Sequence, residues 1–493
     1  MPTQIGHSKQ VAFNFIMDKI KNKLKGWKER YLSFAGRGTL ISAVIQALPT
    51  YTMSCFLFPK SLCDRIEQSI CKFWWGSSDN HQKVHWKARK DLFKSKMAGG
   101  LGFRDMHLFN KAMLAKQVWR LHTDPTSLLS QCLKAKYYLN SDILHAQQGM
   151  TSSYAWQSIF QAISTIKKGS CWKVGNGNDI NIWEDNWVAW QNGYKILTPR
   201  QEQTNLQKVN ELLTDTPSKS WNSNVIDHCF IPSEGDLIKQ TPLIMEPVDD
   251  QLMWPHTKDG NYSVKTGYNL PKHWLDSTNP SFANTSSQSN HWKKLWSLDT
   301  IPRHKAFIWR VIQNSIPVKT ALAKRNILCN TLCPRCLLKE ETMDHAFMHC
   351  IHVSKTWFGS KLGIRFDQSH QNFSDWVIHA INSLHDEELR YLAAIIYGIL
   401  FARNQWVFNQ KHIEEIEIIN KANTSIQDYI KATTNNIQQP STTQNRSTTS
   451  LHRSNNTNRI RRWQKPTNGK IKINSDTNLA RAGRWGVGVT CRD

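Results

Sequence analysis

Acidic residues are scarce in this sequence. Its 493 residues include 38 Asp and Glu but 63 Lys and Arg, which gives a formal net charge of +25. The excess is uneven, because residues 1–140 hold 23 basic and 8 acidic side chains, a net charge of +15. Such a surface favours polyanions as partners, and nucleic acid is the commonest of them. Charge alone is also compatible with lysines that only keep a tryptophan-rich chain soluble.

Long apolar runs are also missing. The longest lies near residues 391–401, and Arg403 follows it closely; this is about half of the roughly 20 residues that a membrane-spanning helix needs. Residues 1–10 contain no apolar segment typical of a signal peptide. We therefore expect a protein that is intracellular, nuclear or cytoplasmic, neither secreted nor bound to a membrane. The sequence leaves its oligomeric state open.

Carboxylates suited to a two-metal polymerase site are not apparent. Such sites need paired acids, commonly in an aromatic-x-Asp-Asp hairpin. The Asp249–Asp250 pair has no aromatic residue two positions earlier, and we interpret it as an exposed turn before a strand. Asp476, at the end of a predicted strand, is more suggestive. A two-metal ribonuclease needs several converging acids, however, so Mg²⁺ is expected only if a complete set exists.

Cysteine and histidine supply the sharpest pattern. Eleven cysteines are an odd number, and in a reducing compartment a cluster of them is first a metal site. Cys333 and Cys336 are separated by two residues, His345 follows after eight further residues and Cys350 after four more. Three thiolates and an imidazole satisfy tetrahedral Zn²⁺ and leave no open position, as in structural sites. The alternative is a coincidental set of reduced cysteines.

Two other residues could replace a ligand, since Cys329 and His349 lie close to the four in the sequence. Six other cysteines occur singly, without a partner at ligand spacing, and we interpret them as small buried apolar side chains. They are Cys55, Cys63, Cys71, Cys132, Cys171 and Cys229.

Apolar residues at helical spacing predict a helical N-terminal region. Helices are predicted at 13–27, 38–45, 62–75 and 110–121. In the first of them lysines crowd the remaining positions, which predicts a basic amphipathic helix. Its candidate phosphate contacts are Lys19, Lys21, Lys23, Lys25, Lys28 and Arg30.

Period-two patterns predict strands further along the chain. Residues 171–174 and 179–183 predict a hairpin, with a turn at Asn176–Gly177. Its tryptophans could stack on bases, but we favour core packing, because a hairpin face needs large apolar side chains. They are Trp172, Trp183, Trp187 and Trp190.

The C-terminal third alternates between ordered and polar segments. Helical patterns occur within 291–330, resuming after Pro302, and at 388–409. Residues 431–462 contain no Asp or Glu and few large apolar residues, which predicts a flexible linker. Strands are predicted at 469–474 and 484–490.

Six short motifs follow one another in residues 36–120. They are 36–41 (GRGTLI), 48–54 (LPTYTMS), 73–76 (FWWG), 99–104 (GGLGFR), 110–117 (NKAMLAKQ) and 119–120 (WR). Their order and spacing resemble the region after the palm in plant LINE-type, non-LTR retrotransposon reverse transcriptases. The palm and fingers, with their polymerase aspartates, have no counterpart in this resemblance.

The resemblance continues downstream. Residues 262–268 (YSVKTGY), Trp296, 301–302 (IP), 305–309 (KAFIW) and Glu341–Thr342 before Asp344–His345 resemble the reverse-transcriptase zinc-binding domain. It implies Cys333, Cys336, His345 and Cys350 as ligands, the same four that the spacing indicates.

A third part of the resemblance is to the first strands of a ribonuclease H domain. It rests on residues 470–476 (KIKINSD) and 486–493 (GVGVTCRD). Asp476 matches the first metal-binding aspartate, although Thr477 stands where the family usually has glycine or another small residue.

Taken together, the patterns predict a mainly α protein with small β elements. The predicted divisions are a basic helical thumb-like region (1–150), a tryptophan-rich hairpin region (151–245), a zinc-binding α+β domain (246–360), a helical segment (361–430), a linker (431–462) and a truncated ribonuclease H-like stub (463–493). The expected function is structural zinc binding and non-specific binding of RNA or DNA, without a polymerase site. The alternatives are an RNA–DNA hybrid ribonuclease and a transposon remnant without function.

Overall fold

The computed structural model describes residues 8–28, 32–77, 82–149, 152–189, 193–200, 205–214, 219–246, 248–277, 285–367, 372–438, 472–479 and 485–492. The chain divides into two compact units, Met1–Thr434 and Asn435–Asp493. The prediction of a mainly α fold with small β elements is confirmed. The finer divisions proposed from the sequence remain predictions.

The first unit begins with a run of helices. They are α1 (Lys9–Lys28), α2 (Phe34–Leu40), α3 (Thr50–Met53), α4 (Lys60–Trp75), α5 (Arg89–Leu92) and α6 (Met106–Thr123). All four predicted helices are present, and the one predicted at 38–45 is α2 continued by a π-helical turn, Ile41–Ile45. Gly76 ends α4 with a φ of +76°, a conformation that glycine adopts without steric cost.

The middle of the unit contains short strands between helices. Its elements are α7 (Leu128–Tyr137), α8 (Tyr154–Gly169), β1 (Cys171–Lys173), β2 (Leu213–Thr214), β3 (Ser220–Trp221), α9 (Ser223–Cys229), α10 (Pro232–Gln240) and β4 (Gln251–Met253). Strands β2 and β3 pair with each other, and β1 pairs antiparallel with β4.

The predicted hairpin of 171–174 with 179–183 is therefore wrong. The loop after β1 instead folds around the carboxylate of Asp250, which lies just before β4. One carboxylate oxygen accepts the backbone N–H groups of Gly175 and Gly177 at 2.7 and 2.9 Å, and the other accepts that of Asp179 at 2.9 Å. Gly177, in the predicted turn, has a φ of +75°, a left-handed conformation that it adopts here without a hairpin.

A second group of helices follows. They are α11 (Val264–Ser277), α12 (Thr285–Ser297), α13 (Pro302–Ile312), α14 (Lys319–Ala323), α15 (Ile351–Gly359), α16 (Phe373–Ser383), α17 (Asp386–Asn409) and α18 (Glu415–Gln438). The linker prediction is wrong for residues 431–438, which continue α18. The start of this helix is held in the core by three buried side chains, Ile418, Ile419 and Ala422. Because the helix is already formed there, each further residue extends it by adding a backbone hydrogen bond. The rest of the predicted linker lies outside the described residues.

The core explains most of the tryptophans. One buried cluster joins α1, α4, α12, α13 and α15–α17, and a second surrounds α6, α8 and the β1–β4 pair. Trp172 and Trp187 are buried, which confirms the packing interpretation for both. Trp183 is half-buried, and its indole N–H donates to the carbonyl of Leu206 at 2.9 Å. Trp190 lies outside the described residues.

The singly spaced cysteines are only partly as predicted. Cys63, Cys71, Cys171 and Cys229 are buried. Cys132 is exposed and Cys55 half-buried, because an isolated cysteine carries no pattern that fixes its face. None of the helices that the structure describes is long and apolar enough to cross a membrane.

The second unit contains the predicted pair of strands, β5 (Lys472–Leu479) and β6 (Trp485–Arg492). They pair antiparallel over their whole length, with Asp476 opposite Gly488. Asp476 thus lies within a strand, while its side chain is outside the described part of the structure.

Candidate metal centre

The first two candidate ligands lie on one tight turn. The N–H of Leu337 donates to the carbonyl of Cys333 at 2.9 Å, and the N–H of Cys333 donates to that of Lys339 at 2.8 Å. Leu337 has a φ of +58°, which is rare for a branched side chain. This turn places Cys333 and Cys336 side by side.

The other two candidate ligands are His345, the first residue of a π-helical turn, His345–His349, and Cys350, the residue after it. This turn leads into α15. The N–H of Cys350 donates to the carbonyl of His345 at 2.9 Å. Residues five apart are stacked by such a bond, whereas an α-helix would turn them away from each other. The N–H of His345 also donates to Oγ1 of Thr342 at 3.0 Å, so the turn is fixed at its start.

The four ligand atoms converge. All lie within 4.8 Å of one another; the Sγ atoms of Cys333 and Cys350 are 4.0 Å apart, and Sγ of Cys336 is 3.2 Å from Nε2 of His345. A tetrahedral Zn²⁺ with Zn–S bonds of about 2.3 Å separates two sulfurs by about 3.8 Å. Cys336 is half-buried and the other three are buried. The donor set therefore fits a closed structural zinc site.

Neither alternative ligand joins this group. Within the described ranges, these four are the one set of three or more His, Cys, Asp or Glu side chains close enough to share an ion. The thiol of Cys329 donates to the carbonyl of Lys319 at 3.6 Å instead. His349 lies at the end of the π turn, outside the set.

The thiols themselves are electrostatically coupled. The hydrogen bond from Cys350 lowers the pKa of Cys333 to about 4. The same contact, together with burial, raises the pKa of Cys350. A bound cation would displace the proton that this contact needs, as metal ligands must be deprotonated.

Comparison with known proteins places the chain in a family. Residues 262–357, which include all four ligands, match the family model described as zinc-binding in reverse transcriptase. Over 143 residues the chain is 41% identical to an uncharacterized mitochondrial protein of Arabidopsis thaliana, a match that covers 29% of this chain and 93% of that protein. The chain belongs to the plant retrotransposon-derived family with a reverse-transcriptase zinc-binding domain.

A second relative of this retrotransposon-derived protein is longer. Over 347 residues the chain is 26% identical to an Arabidopsis thaliana protein named "Putative ribonuclease H protein". The match covers 69% of this chain and 54% of that relative, so the chain spans about half of the relative's length.

Arg335, inside the Cys-x-x-Cys turn, is a feature of the centre that the spacing did not indicate. Its side chain is 6% exposed, and its nearest acidic partner is Glu415, at 4.0 Å. Both terminal nitrogens lack a hydrogen-bond partner among the described residues. Burial lowers the pKa of Arg335, while Cys350, Glu415 and Cys333 counteract that shift. Three thiolates around Zn²⁺ carry one net negative charge, which this guanidinium would balance.

Glu341 is a second residue whose structural role the sequence did not indicate, although it belongs to the motif that carries the family resemblance. Its fully buried carboxylate makes a bidentate ion pair with Arg403 of α17, with distances of 2.8 and 2.7 Å. The N–H of Lys319 donates to the same carboxylate at 2.8 Å. This buried pair fastens the metal-binding loop to the helical core.

Five of the six predicted phosphate contacts lie on α1. Lys19, Lys21, Lys23 and Lys25 are exposed. A helix turns about 100° per residue, so Lys19 and Lys23 lie on one flank of its buried stripe, and Lys21 and Lys25 on the other. Lys28 ends the helix, but its side chain is outside the description, as is all of Arg30. Their contact with phosphate stays a prediction.

Proposed function

We propose that this retrotransposon-derived chain is a zinc-stabilised scaffold that binds RNA or DNA without sequence preference and lacks a polymerase site. The observation that carries the proposal is the buried Cys₃His cluster, whose four ligands leave no position for a substrate. A structural rather than catalytic ion follows from that geometry. The net charge of +25 and the exposed lysines of α1 favour nucleic acid as the partner.

The Asp249–Asp250 pair supports the absence of polymerase chemistry. The carboxylate of Asp250 is engaged by three backbone N–H groups, and that of Asp249 accepts the side-chain amide of Asn176 at 2.9 Å. Two carboxylates used in this way hold a loop together. They are not arranged to share a pair of catalytic ions.

Metal content tests the first half of the proposal. We expect the purified chain to contain about one Zn²⁺ by mass spectrometry of its metals, and Cys350→Ala to contain almost none. Cys229→Ala, which removes a buried cysteine outside the cluster, is the matched control and should keep its zinc. Equal zinc in both variants would contradict the assignment.

The salt dependence of RNA binding tests the second half. Replacing Lys19, Lys21, Lys23 and Lys25 by Gln removes four exposed charges. The slope of log K against log salt should then fall by about 0.7 for each phosphate that these side chains neutralise in the unchanged protein. An unchanged slope would show that α1 does not contact phosphate.

Cleavage of RNA in RNA–DNA hybrids is a second candidate function. It is favoured by the paired strands β5 and β6, with Asp476 within the first, and by the name of the longer relative. We expect no Mg²⁺-dependent cleavage, since one matched carboxylate does not make a two-metal site. Cleavage that Asp476→Asn abolishes would establish this function instead.

A location inside the cell, nuclear or cytoplasmic, is part of the same proposal. It is supported by the reduced cysteines that a metal cluster requires. Microscopy of a fluorescent fusion in plant cells tests it, and a secreted fusion would contradict it.

A further inference from the structure

A cleft of about 510 Å³ opens beside α2 and the π turn that follows it. Helices α12 and α13 and the glycine-rich loop at 98–103 form the opposite side. This volume lies within the range of about 300–1,000 Å³ that is typical of small-molecule sites. The cleft lies in the first unit, and neither the metal centre nor the α1 lysines line it.

Buried aromatic side chains form one side of the cleft. Trp74 is 2% exposed and meets Phe103 edge to face, with ring centroids 5.6 Å apart. Gly38 faces the same indole, where an added Cβ would lie 3.1 Å from Trp74. A larger residue on α2 would therefore press on the ring. Glycine at this point lets α2 pack directly against the indole.

Two lysines give the cleft a positive charge. The ammonium of Lys96 lies 4.8 Å from the ring centroid of Trp296, and that of Lys305 donates to the carbonyl of Trp296 at 3.1 Å. Burial lowers the pKa of Lys305 and nearby Lys96 lowers it further, while Asp299 raises it. Neither ammonium makes an ion pair with a described carboxylate. An anion would relieve their mutual repulsion.

Trp296, which also lines the cleft, carries an unpaired polar group. The indole N–H of Trp296 is buried and has no hydrogen-bond partner among the described residues. A buried donor without an acceptor costs about 1–3 kcal/mol. An acceptor on a bound molecule is one way to satisfy this donor.

We infer that this cleft receives one nucleotide of a single-stranded nucleic acid, its base beside Trp296, which is the half-buried ring of the lining, and its phosphate at Lys96 and Lys305. The inference rests on the proposed nucleic-acid binding and gives it a location. Aromatic walls with flanking cations are the chemistry that single-strand-binding proteins use. A duplex keeps its base faces stacked, so it cannot place a base here without unpairing it.

Fluorescence anisotropy with a 12-nucleotide uridine RNA and the full chain tests the inference. Lys96 and Ser42, both exposed, line the cleft, so Lys96→Gln and Ser42→Glu should fold normally. At 0.1 M salt we expect Lys96→Gln to weaken binding about fivefold, because one phosphate is no longer neutralised. Ser42→Glu should weaken it at least as much. Lys168→Gln, an exposed lysine of α8, is the matched control and should bind like the unchanged protein.

Two further probes separate the base from the charge and the strand from a free nucleotide. An abasic 12-mer should bind about tenfold more weakly than the uridine strand, and equal affinity would overturn the aromatic part of the inference. Uridine monophosphate should compete only at concentrations about a hundred times higher than the strand. Competition at equal concentration would overturn the assignment to a strand.

The proposed function and this inference fail in different ways. If the unchanged protein binds no strand, the proposed function fails and the cleft assignment with it. If it binds RNA but Lys96→Gln and Ser42→Glu behave like Lys168→Gln, the cleft assignment alone is overturned.

Discussion

Two loops of the first unit are organised by opposite means. The loop at 333–350 holds four ligand atoms within 4.8 Å of one another, with two thiols sharing a hydrogen bond. The loop at 175–179 closes around the carboxylate of Asp250, which accepts three backbone N–H groups. The first arrangement gains a cation when it binds zinc, whereas the second already contains its central charge. Stability should therefore depend on metal in one loop and not in the other.

Removal of zinc should have the largest effect and separate the two loops most clearly. Binding free energies of structural zinc sites are of the order of 10 kcal/mol, so chelation should lower the melting temperature by well over 10 °C. Circular dichroism and calorimetry with and without a chelator would measure the change. An unchanged melting temperature in a protein shown to have lost zinc would mean that the core holds the ligand loop unaided.

Breaking the Glu341–Arg403 pair should have the next largest effect. Glu341→Ala leaves a buried guanidinium without its partner, which typically costs about 3–5 kcal/mol. Urea unfolding of the zinc-loaded protein would measure this loss. Glu340→Ala, at an exposed neighbouring position, should cost less than about 0.5 kcal/mol; similar losses in both variants would show that the pair contributes little.

Asp250→Ala should destabilise the second loop by about 2–3 kcal/mol, because it leaves backbone N–H groups without their acceptor. Asp249→Ala removes a single exposed contact and is the control. The loss should be the same before and after chelation when expressed as a difference from the parent protein. A loss that depends on zinc would show that the stability of the second loop is coupled to the metal centre.

Arg335→Met should have the smallest effect on folding but a measurable effect on the metal. It keeps an unbranched side chain at this buried position while removing the charge beside the thiolates. Changes around metal ligands typically reduce affinity about 10–100-fold. Competition with a chromophoric chelator would measure this, and Arg325→Met, at an exposed arginine, should keep the parent affinity.

The Cys₃His cluster could be predicted from the sequence because its residue types and spacing are local. Two cysteines separated by two residues need only a tight turn, and a histidine and a cysteine separated by four residues need only one turn of helix. Arg335 and Glu341 could not be assigned a part in this way. What Arg335 does depends on burial beside the thiolates, and what Glu341 does depends on Arg403, 62 residues away.

The helices could be predicted for the same reason, because their patterns are local. The predicted hairpin was wrong because the pairing of its first strand depends on a distant strand. Helix α4 was predicted within two residues of its start because Ile66, Ile70 and Phe73 repeat along one buried face. The pairing of β1 is decided by β4, about 80 residues further on. A glycine in the right place suggested a turn between neighbours, but a distant carboxylate offered the loop a better set of hydrogen bonds.

The π turn at 345–349 also limits how this loop can change in length. A deletion of one residue between His345 and Cys350 would convert the five-residue step into a four-residue one and rotate one ligand off the ion. The eight residues between Cys336 and His345 carry no such constraint, because they form a connection rather than a step of helix. In related sequences, insertions and deletions should therefore accumulate in the longer interval and be excluded from the shorter one wherever the metal is retained.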